Sequence, residues 1–219
     1  MKKIYNLIIY LLRYFSIIVP NYKLSHEIDF GSEKSNKFFK RKLKNCNFYF
    51  EYGSGSSTLL AIKNKKKFIS LEADKSFYNY LRKYNNNRKI KYTNIGPTKY
   101  FSYPILPFFL IKKRIESYVN YLKINFPKIK SAPDLFLIDG RFRVYVCLNI
   151  IKFIAIKKFK KKIIIIIDDY KYRKSYKILE KIFKVNLVGR FGVITVFNYK
   201  TIPLKKVKKM LLKVQKQAF

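Results

Sequence analysis

Segments with the composition of buried strands alternate with helical segments along most of the chain, and this alternation constrains the fold more than any other feature. Five strand segments are Asn47–Tyr52, Lys67–Glu72, Ile90–Asn94, Asp134–Asp139 and Ile163–Asp168. The helical segments begin near Ser57 and then cover Ser76–Tyr84, Phe109–Leu122, Val144–Lys157 and Ser175–Phe183. Strands that alternate with helices form parallel sheets with right-handed crossovers. The fifth strand segment is β-branched throughout, which favours a central position in the sheet.

Two further strand segments close this pattern. Val185–Val188 and Val193–Phe197 flank the sequence Gly-Arg-Phe-Gly, which predicts a β-hairpin. A hairpin after parallel strands adds an antiparallel strand at one edge of the sheet. We therefore predict an α/β, Rossmann-like, doubly wound and mostly parallel seven-stranded sheet that ends in an antiparallel β-hairpin. This domain covers residues 45–200, and a basic helix or tail covers 201–219.

Residues 1–44 form an amphipathic helix and a basic lead-in to the domain. The apolar run from Ile4 to Val19 is 16 residues long and contains Arg13, which is short of the ~20 residues that span a bilayer. No small-residue cleavage site follows it. Its apolar residues recur at helical spacing, so we predict a helix packed on the domain. The alternative is peripheral contact of this helix with a membrane surface.

The formal net charge is +37, and 40 of the 49 basic residues are lysine. One interpretation is a polyanionic partner, either nucleic acid or an anionic membrane. The other is the codon usage of an AT-rich genome, because lysine is spread along the whole chain instead of being gathered with arginine. We favour the second interpretation and expect only non-specific polyanion binding. Cys46 and Cys147 have no metal-like spacing and predict a reducing, cytoplasmic location.

The acidic residues are few and clustered. Six of the 12 lie at or just past the carboxyl ends of predicted strands: Glu51, Glu72, Asp74, Asp139, Asp168 and Asp169. In an open α/β sheet this edge binds ligands. Helix N-capping is the alternative explanation for Asp74 and for one of the last two aspartates. Capping explains Glu51 and Glu72 poorly.

A glycine turn joins the first strand to the helix that follows it. Its sequence is Glu51-Tyr52-Gly53-Ser54-Gly55, followed by Ser-Ser-Thr. Glycine lets the backbone approach a ligand closely, and the start of the helix offers free N–H donors. Glu72 ends the next strand 21 residues after Glu51, where a carboxylate can accept both hydroxyls of a ribose. Together these features predict a nucleoside site.

This pattern, together with the final hairpin, resembles class I S-adenosylmethionine-dependent methyltransferases over about residues 45–198. The resemblance implies an enzyme of that class whose cofactor is S-adenosylmethionine. An NAD enzyme is the rival, but the third glycine of its fingerprint is replaced by serine. The resemblance implies that Glu51 organises the loop, Glu72 holds the ribose and Asn94 contacts the adenine. The full set of implied cofactor-binding residues is Glu51, Gly53, Ser54, Gly55, Glu72, Asn94 and Asp139.

A second group of carboxylates should converge above the fourth and fifth strands, namely Asp139, Asp168 and Asp169. Three carboxylates repel one another unless a cation or protons intervene. Oxygen ligands of this kind suit Mg²⁺ or Ca²⁺. The segments LIDG and IIDDY resemble those of metal-dependent O-methyltransferases, including catechol O-methyltransferase and the sugar enzymes. That resemblance implies a divalent ion, Mg²⁺, that binds acceptor hydroxyls at these three residues.

Arg141 occupies the position at which the sugar enzymes carry an acid resembling a general base. A guanidinium cannot accept a proton at neutral pH, but it can bind a carboxylate or phosphate of the substrate. The base is then another group, such as Lys171 or Tyr170, or catalysis is absent. The alternative without a metal is that Asp168 and Asp169 cap a helix and pair with Arg141. We take Asp139, Arg141 and Asp168 as the candidate catalytic residues.

The leading functional hypothesis is O-methylation of a small molecule or glycan. A nucleic-acid methyltransferase is the second, suggested by the charge and the many aromatic residues. Against it, the usual Asn/Asp-Pro-Pro-aromatic turn is replaced by Asp139-Gly140-Arg141-Phe142, and Cys147 lies within a predicted helix instead of a catalytic loop. The third is a non-catalytic protein of this fold that binds a membrane surface or a partner.

Overall fold

In a computed structural model of the chain, the described residues are 2–15, 22–84, 89–126 and 132–218. The strands are β1 Phe48–Tyr52, β2 Lys67–Glu72, β3 Ile90–Tyr92, β4 Leu135–Ile138, β5 Ile163–Ile167, β6 Asn186–Val188 and β7 Phe191–Val196. They form one seven-stranded sheet in the order β3-β2-β1-β4-β5-β7-β6. The pairs among β1 to β5 are parallel, and β7 runs antiparallel to both β5 and β6. This arrangement confirms the predicted mostly parallel sheet with an antiparallel hairpin at its end.

The α-helices are α1 Lys2–Tyr14, α2 Glu33–Asn45, α3 Ser56–Lys63, α4 Lys75–Tyr84, α5 Phe108–Val119, α6 Tyr121–Asn125, α7 Arg143–Ile156 and α8 Leu204–Ala218. Short 3-10 segments lie at Tyr100–Ser102, Tyr170–Tyr172, Lys174–Lys181 and Tyr199–Thr201. Two predicted helices differ from the structure in detail. The helix predicted near residues 109–122 is divided at Asn120, and the helix predicted over residues 175–183 is a 3-10 helix over residues 174–181.

The sheet is covered on both faces. On one face α5, α6, α7 and α8 bury a core that includes Ile163, Ile165 and Ile167 of β5. On the other face α2, α3 and α4 bury a second core that includes Ile166. Successive side chains of a strand point to opposite faces. An all-isoleucine strand therefore fits a position between two apolar layers, as predicted for β5.

The hairpin begins earlier than its sequence indicates. β7 starts at Phe191, two residues before the predicted Val193, so the connecting loop is only Gly189-Arg190. Phe191 is fully buried, and its ring packs edge-on against Phe30 at 4.8 Å between centroids. Burial of this ring draws the residue into the strand, although its glycine neighbours suggested a turn.

The N-terminal helix meets the domain through its C-terminal half. The α1 residues Ile4, Tyr5 and Ile8 are 66%, 65% and 49% exposed, so the first two turns do not pack on the domain as predicted. Arg13 is buried and forms an ion pair with Asp74 at 3.1 Å, which attaches α1 to the start of α4. The predicted extension of this helix to Val19 lies outside the described residues. Among those that are described, no helix is both long and apolar enough to cross a membrane.

Candidate active site

A cavity of about 700 Å³ opens at the carboxyl edge of the parallel strands. The turn after β1 contributes Gly53, Ser54 and Gly55, the end of β2 contributes Glu72, and the segment after β4 contributes Asp139. Adjacent parallel strands bring these turns together, since their carboxyl ends meet at the same edge of the sheet. The structure thus places five of the seven predicted cofactor-binding residues in the lining of one cavity.

Glu51 lies beneath this cavity and is completely buried. Its carboxylate accepts hydrogen bonds from Tyr49 Oη at 2.5 Å, from Ser57 Oγ at 2.6 Å and from Thr58 Oγ1 at 2.5 Å. Thr58 Oγ1 in turn accepts the backbone N–H of Gly55 at 2.9 Å. Burial raises the pKa of Glu51, and the three hydroxyl donors oppose that shift. Glu51 therefore holds the glycine turn through protein hydroxyls.

The two glycines of the turn face different surroundings. Gly53 has φ +95°, and a Cβ there would lie 2.7 Å from the backbone nitrogen of Gly140. Glycine at this position lets the turns after β1 and β4 touch. A Cβ at Gly55 would meet no atom within 4 Å. Gly55 lines the cavity, so this wall has open space at the position of a side chain.

Glu72 is buried beside the glycine turn, and its carboxylate accepts four hydrogen bonds. Three come from the backbone N–H groups of Ser54, Ala73 and Asp74, at 2.7–3.1 Å, and the fourth from Ser102 Oγ at 3.0 Å. Burial raises the pKa of Glu72 to about 7, and these donors oppose the shift. Oε1 accepts three of these bonds and Oε2 only one, so Oε2 has a free lone pair for a ligand hydroxyl, and a second ligand hydroxyl would have to replace Ser102 Oγ.

Arg13 and Tyr22 complete the wall beside Glu72. Arg13 Nη2 donates to Asp74 Oδ2 at 3.1 Å and to Tyr22 Oη at 2.8 Å. Asp74 also accepts the backbone N–H of Phe77 at 3.0 Å, so it caps α4 as the capping interpretation predicted. Sequence reasoning missed Arg13 as a cavity residue. The available signal was an arginine in an otherwise apolar helix.

Asn94 lies outside the cavity lining. Its Oδ1 accepts the backbone N–H of Gly96 at 2.8 Å, and its Nδ2 donates to Tyr14 Oη at 3.0 Å. These bonds hold the turn after β3 and the end of α1. The structure therefore places Asn94 against the N-terminal helix, and it does not line the cavity where the predicted adenine contact would be made.

The second carboxylate group does converge, but arginines accompany it. Asp168 is 1% exposed, and Arg190 binds it through two hydrogen bonds, Nε to Oδ1 and Nη2 to Oδ2, both 2.6 Å long. Arg143 lies 2.9 Å from Asp139 and 3.0 Å from Asp169. These two guanidinium groups offset two of the three carboxylate charges, and Arg173, 3.6 Å from Asp169, offsets the third, so arginine supplies the charge that a metal would otherwise provide.

These three aspartates do not fit a divalent ion in this arrangement, because each has a guanidinium nitrogen within 3.0 Å. Across the described part of the chain, no group of three or more His, Cys, Asp or Glu side chains is placed to hold a metal ion. Asp168 and Asp169 make no side-chain cap to the following 3-10 segment. The structure thus supports neither the predicted Mg²⁺ site nor the capping alternative for this pair.

Arg141 is not the partner of the aspartates. Its guanidinium lies over the ring of Tyr103, 3.7 Å from the centroid, and it lines the cavity. The ion pairs predicted for Arg141 are instead made by Arg143 and Arg190, which sequence reasoning missed. The neighbouring Arg143 was visible, but Arg190 lies in the hairpin and reaches Asp168 only because β7 pairs with β5.

The two alternative bases also lie elsewhere. Tyr170 is buried, and its hydroxyl donates to Glu180 at 3.1 Å. Lys171 is exposed, and its ammonium lies over the ring of Tyr172. Neither residue lines the cavity. Asp139 does, and burial followed by the adjacent Asp168 carboxylate raises the pKa of Asp139, against the opposing charge of Arg143. Asp139 is therefore the carboxylate of this edge that is best placed to exchange a proton.

No protein-family model matches the chain, and a search of curated proteins finds no match. A similar solved structure is a methyltransferase-like protein from Silicibacter pomeroyi DSS-3. It is 22% identical in sequence, with a TM-score of 0.68 over 87% of this chain and 98% of that chain. The chain has a methyltransferase-like fold. In that fold the cavity occupies the ligand-binding edge of the sheet, and the residues that line it extend from Arg13 of α1 to Arg143 of α7.

Proposed function

We propose that this protein is an S-adenosylmethionine-dependent methyltransferase that acts on an oxygen atom of a small molecule or glycan. The observation that carries the proposal is the cavity whose walls are the open side of Gly55 and the hydroxyl-accepting carboxylate of Glu72. A glycine-lined wall and a buried carboxylate on adjacent strands suit a nucleoside ligand. The methyltransferase-like fold supports the same assignment.

Each wall would serve a different part of the cofactor. Gly53, Ser54 and Gly55 would approach its methionine part, and Glu72 would accept the ribose hydroxyls. When bound, S-adenosylmethionine supplies an electrophilic methyl group on a sulfonium sulfur. Transfer breaks the sulfur–methyl bond, forms an oxygen–methyl bond and releases the hydroxyl proton of the acceptor. The products are the methyl ether of the acceptor, the demethylated thioether and the released proton.

Asp139 would receive that proton. It lines the cavity next to Gly140 and Arg141, and Arg143 favours its ionised form, which is the form that can accept a proton. Arg143 holds its carboxylate in place at 2.9 Å. Asp168 would act as a positioning residue, because it binds Arg190 and the edge of the hairpin and lies away from the cavity. The positive charge of this edge would come from arginine and not from a divalent ion.

Calorimetric titration with S-adenosylmethionine and with S-adenosylhomocysteine tests the proposal. Gly55→Val should weaken binding by at least about a hundredfold, since its side chain enters the cavity, whereas the extended backbone there accepts any residue. Ser56→Val, one residue further and outside the lining, is the matched control and should bind as the wild type does. Equal affinity of wild type and Gly55→Val, or no binding by the wild type, would contradict the proposal.

A further inference from the structure

A second cavity, of about 360 Å³, shares Arg141 and Arg143 with the first. Tyr103 and Phe108 line it from the segment that leads into α5, and Arg173 and Tyr176 line it from the segment after β5. Its volume suits a small molecule of one or two rings. The shared arginines place this cavity directly beside the site proposed for the cofactor.

The charged side chains that line the second cavity are all positive. Of the described residues that line it, three are arginines and none is acidic. Arg143 is engaged with Asp139 and Asp169. In contrast, no ion pair or hydrogen bond joins Arg141 to a carboxylate within the described part of the chain. Arg173 reaches Asp169 only at 3.6 Å and is 46% exposed.

Three guanidinium groups at one cavity repel one another. Burial lowers the pKa of Arg141, and the charges of Arg143 and Arg173 act in the same direction. The site as a whole carries Asp139, Asp168 and Asp169 against the four arginines 141, 143, 173 and 190, which leaves one excess positive charge. A partly buried charge is costly unless it is paired. An anion in this cavity would supply the missing partner.

Aromatic rings accompany the guanidinium groups. The Tyr103 ring lies under Arg141 at 3.7 Å, and Phe108 packs edge-on against Phe142 at 5.8 Å between centroids. Tyr176 adds a third ring to the wall. Flat apolar surfaces of this kind pack against planar groups of a ligand. Positive donors at one end and rings along the walls indicate a ligand that is both anionic and partly flat.

We propose that the second cavity is the acceptor site and that its acceptor is a small anion, with a carboxylate or phosphate group attached to a planar apolar part that carries the hydroxyl to be methylated. Arg141 and Arg173 bind the anionic group, and Tyr103, Phe108 and Tyr176 enclose the planar part. The acceptor role rests on the function proposed above. The anion site itself rests only on the charges and rings that line this cavity.

Three probes of similar shape test it: 4-hydroxybenzoate, phenyl phosphate and the neutral 4-hydroxybenzamide. Each is titrated calorimetrically at ~150 mM salt, which screens the general surface charge, first without and then with S-adenosylhomocysteine. We expect saturable one-site binding of at least one anion, about tenfold or more tighter than the neutral probe. Arg141→Gln and Arg173→Gln should each remove about tenfold of that affinity. Lys174→Gln removes the same charge outside the lining and should leave it unchanged.

Arg141→Lys separates charge from geometry, since it keeps the positive charge but loses the planar pair of donors. It should recover only part of the affinity lost in Arg141→Gln. If Arg141→Gln does not fold, the half-exposed Arg173→Gln carries the comparison. Equal binding of neutral and anionic probes, or an equal loss in Lys174→Gln, would overturn the anion site. Anion binding without S-adenosylhomocysteine binding would uphold the site and refute the methyltransferase proposal.

Discussion

If Glu72 accepts ribose hydroxyls as proposed, its protonation state should set the affinity of the cavity for the ligand. Burial raises the pKa of Glu72 to about 7, from an ordinary value of 4.5. Ribose hydroxyls donate to the ionised form, so binding releases a proton and weakens as the pH falls below about 7. Calorimetry of S-adenosylhomocysteine over a pH series should show up to about a tenfold loss of affinity per unit below that pKa.

The variant Glu72→Gln separates the titration of Glu72 from the titration of other groups in the protein. Glu72→Gln cannot ionise, so its binding should be weak and independent of pH over the same range. A wild-type affinity that is flat from about pH 7 down to about pH 6, one unit below the pKa of Glu72, would contradict the role of Glu72. The effect of Glu72 on protein stability has the opposite pH dependence to its effect on ligand affinity. Because the folded pKa is raised, the contribution of Glu72 to the free energy of unfolding falls as the pH rises from 4.5 to about 7.

The Arg190–Asp168 pair allows a test of whether Arg190, and not a metal ion, balances the charge of Asp168. Asp168 is 1% exposed and receives two 2.6 Å bonds from Arg190. Removal of one partner of a buried pair costs about 3–5 kcal/mol, because it leaves an uncompensated charge. We expect the low end, about 3 kcal/mol, for Arg190→Gln in denaturant unfolding, since Arg143 remains 3.8 Å from Asp168.

Two comparisons sharpen that measurement. Arg190→Lys keeps the charge without the two parallel bonds and should lose about half as much free energy of unfolding. Lys37→Gln breaks the exposed pair with Glu33 and should leave the free energy of unfolding almost unchanged, because solvent screens this pair. If Arg190→Gln were as mild as Lys37→Gln, or if Mg²⁺ restored its stability, a cation other than Arg190 would serve Asp168.

At the scale of secondary-structure elements, α1 carries a surface that the rest of the fold leaves uncovered. Ile4, Leu7 and Ile8 recur at helical spacing and are 66%, 41% and 49% exposed, while Arg13 fixes the other end of the helix to Asp74. An exposed apolar stripe on a basic protein suits the surface of an anionic membrane. We therefore expect vesicles with anionic lipid to bind the protein through α1.

Vesicle co-sedimentation measures that binding. Ile4→Glu should reduce the bound fraction several-fold, because it places a charge in the apolar stripe. Leu212→Glu makes the same change on α8, where the residue is 62% exposed, and should reduce binding only slightly. If the two variants behaved alike, attraction would come from overall charge, and α1 would have no special part in it.

The sequence predicted the elements better than the contacts between them. Alternating strands and helices, the glycine turn and the acids at the strand ends follow local patterns, so the sheet and five cavity residues could be predicted. Contacts made by pairing of distant segments could not. Arg190 reaches Asp168 only through β5–β7 pairing, and Arg13 reaches Asp74 only because α1 packs on α4. Phe191 lies in β7 because the burial of its ring outweighs the turn preference of the nearby glycines.

At the scale of the whole molecule, arginine and lysine have separate roles. Five of the nine arginines, at 13, 141, 143, 173 and 190, lie at the two cavities or in the ion pairs beneath them. The 40 lysines are spread along the chain. Planar bidentate donors occur where carboxylates and a proposed anion need them. This division supports codon usage as the origin of the lysine excess, with the charge of the site carried by arginine.

Scattered lysine predicts a specific response to nucleic acid. A net charge of +37 attracts any polyanion, but without a concentrated basic face the binding should be independent of sequence and steep in salt. Between ~50 and ~200 mM salt we expect the affinity for duplex DNA to fall at least about a thousandfold, as measured by fluorescence anisotropy.

Two variants test whether the positive charge that binds DNA is spread over the surface. One replaces the exposed α8 lysines 205, 206, 208 and 209 with glutamine, and the other replaces the exposed α2 lysines 34, 37, 40 and 44. Since each removes four exposed charges, both should lower the affinity and the salt slope equally. A complex that survives ~200 mM salt with a sequence preference, or one that only one of these variants destroys, would show a built nucleic-acid surface and favour a nucleic-acid methyltransferase.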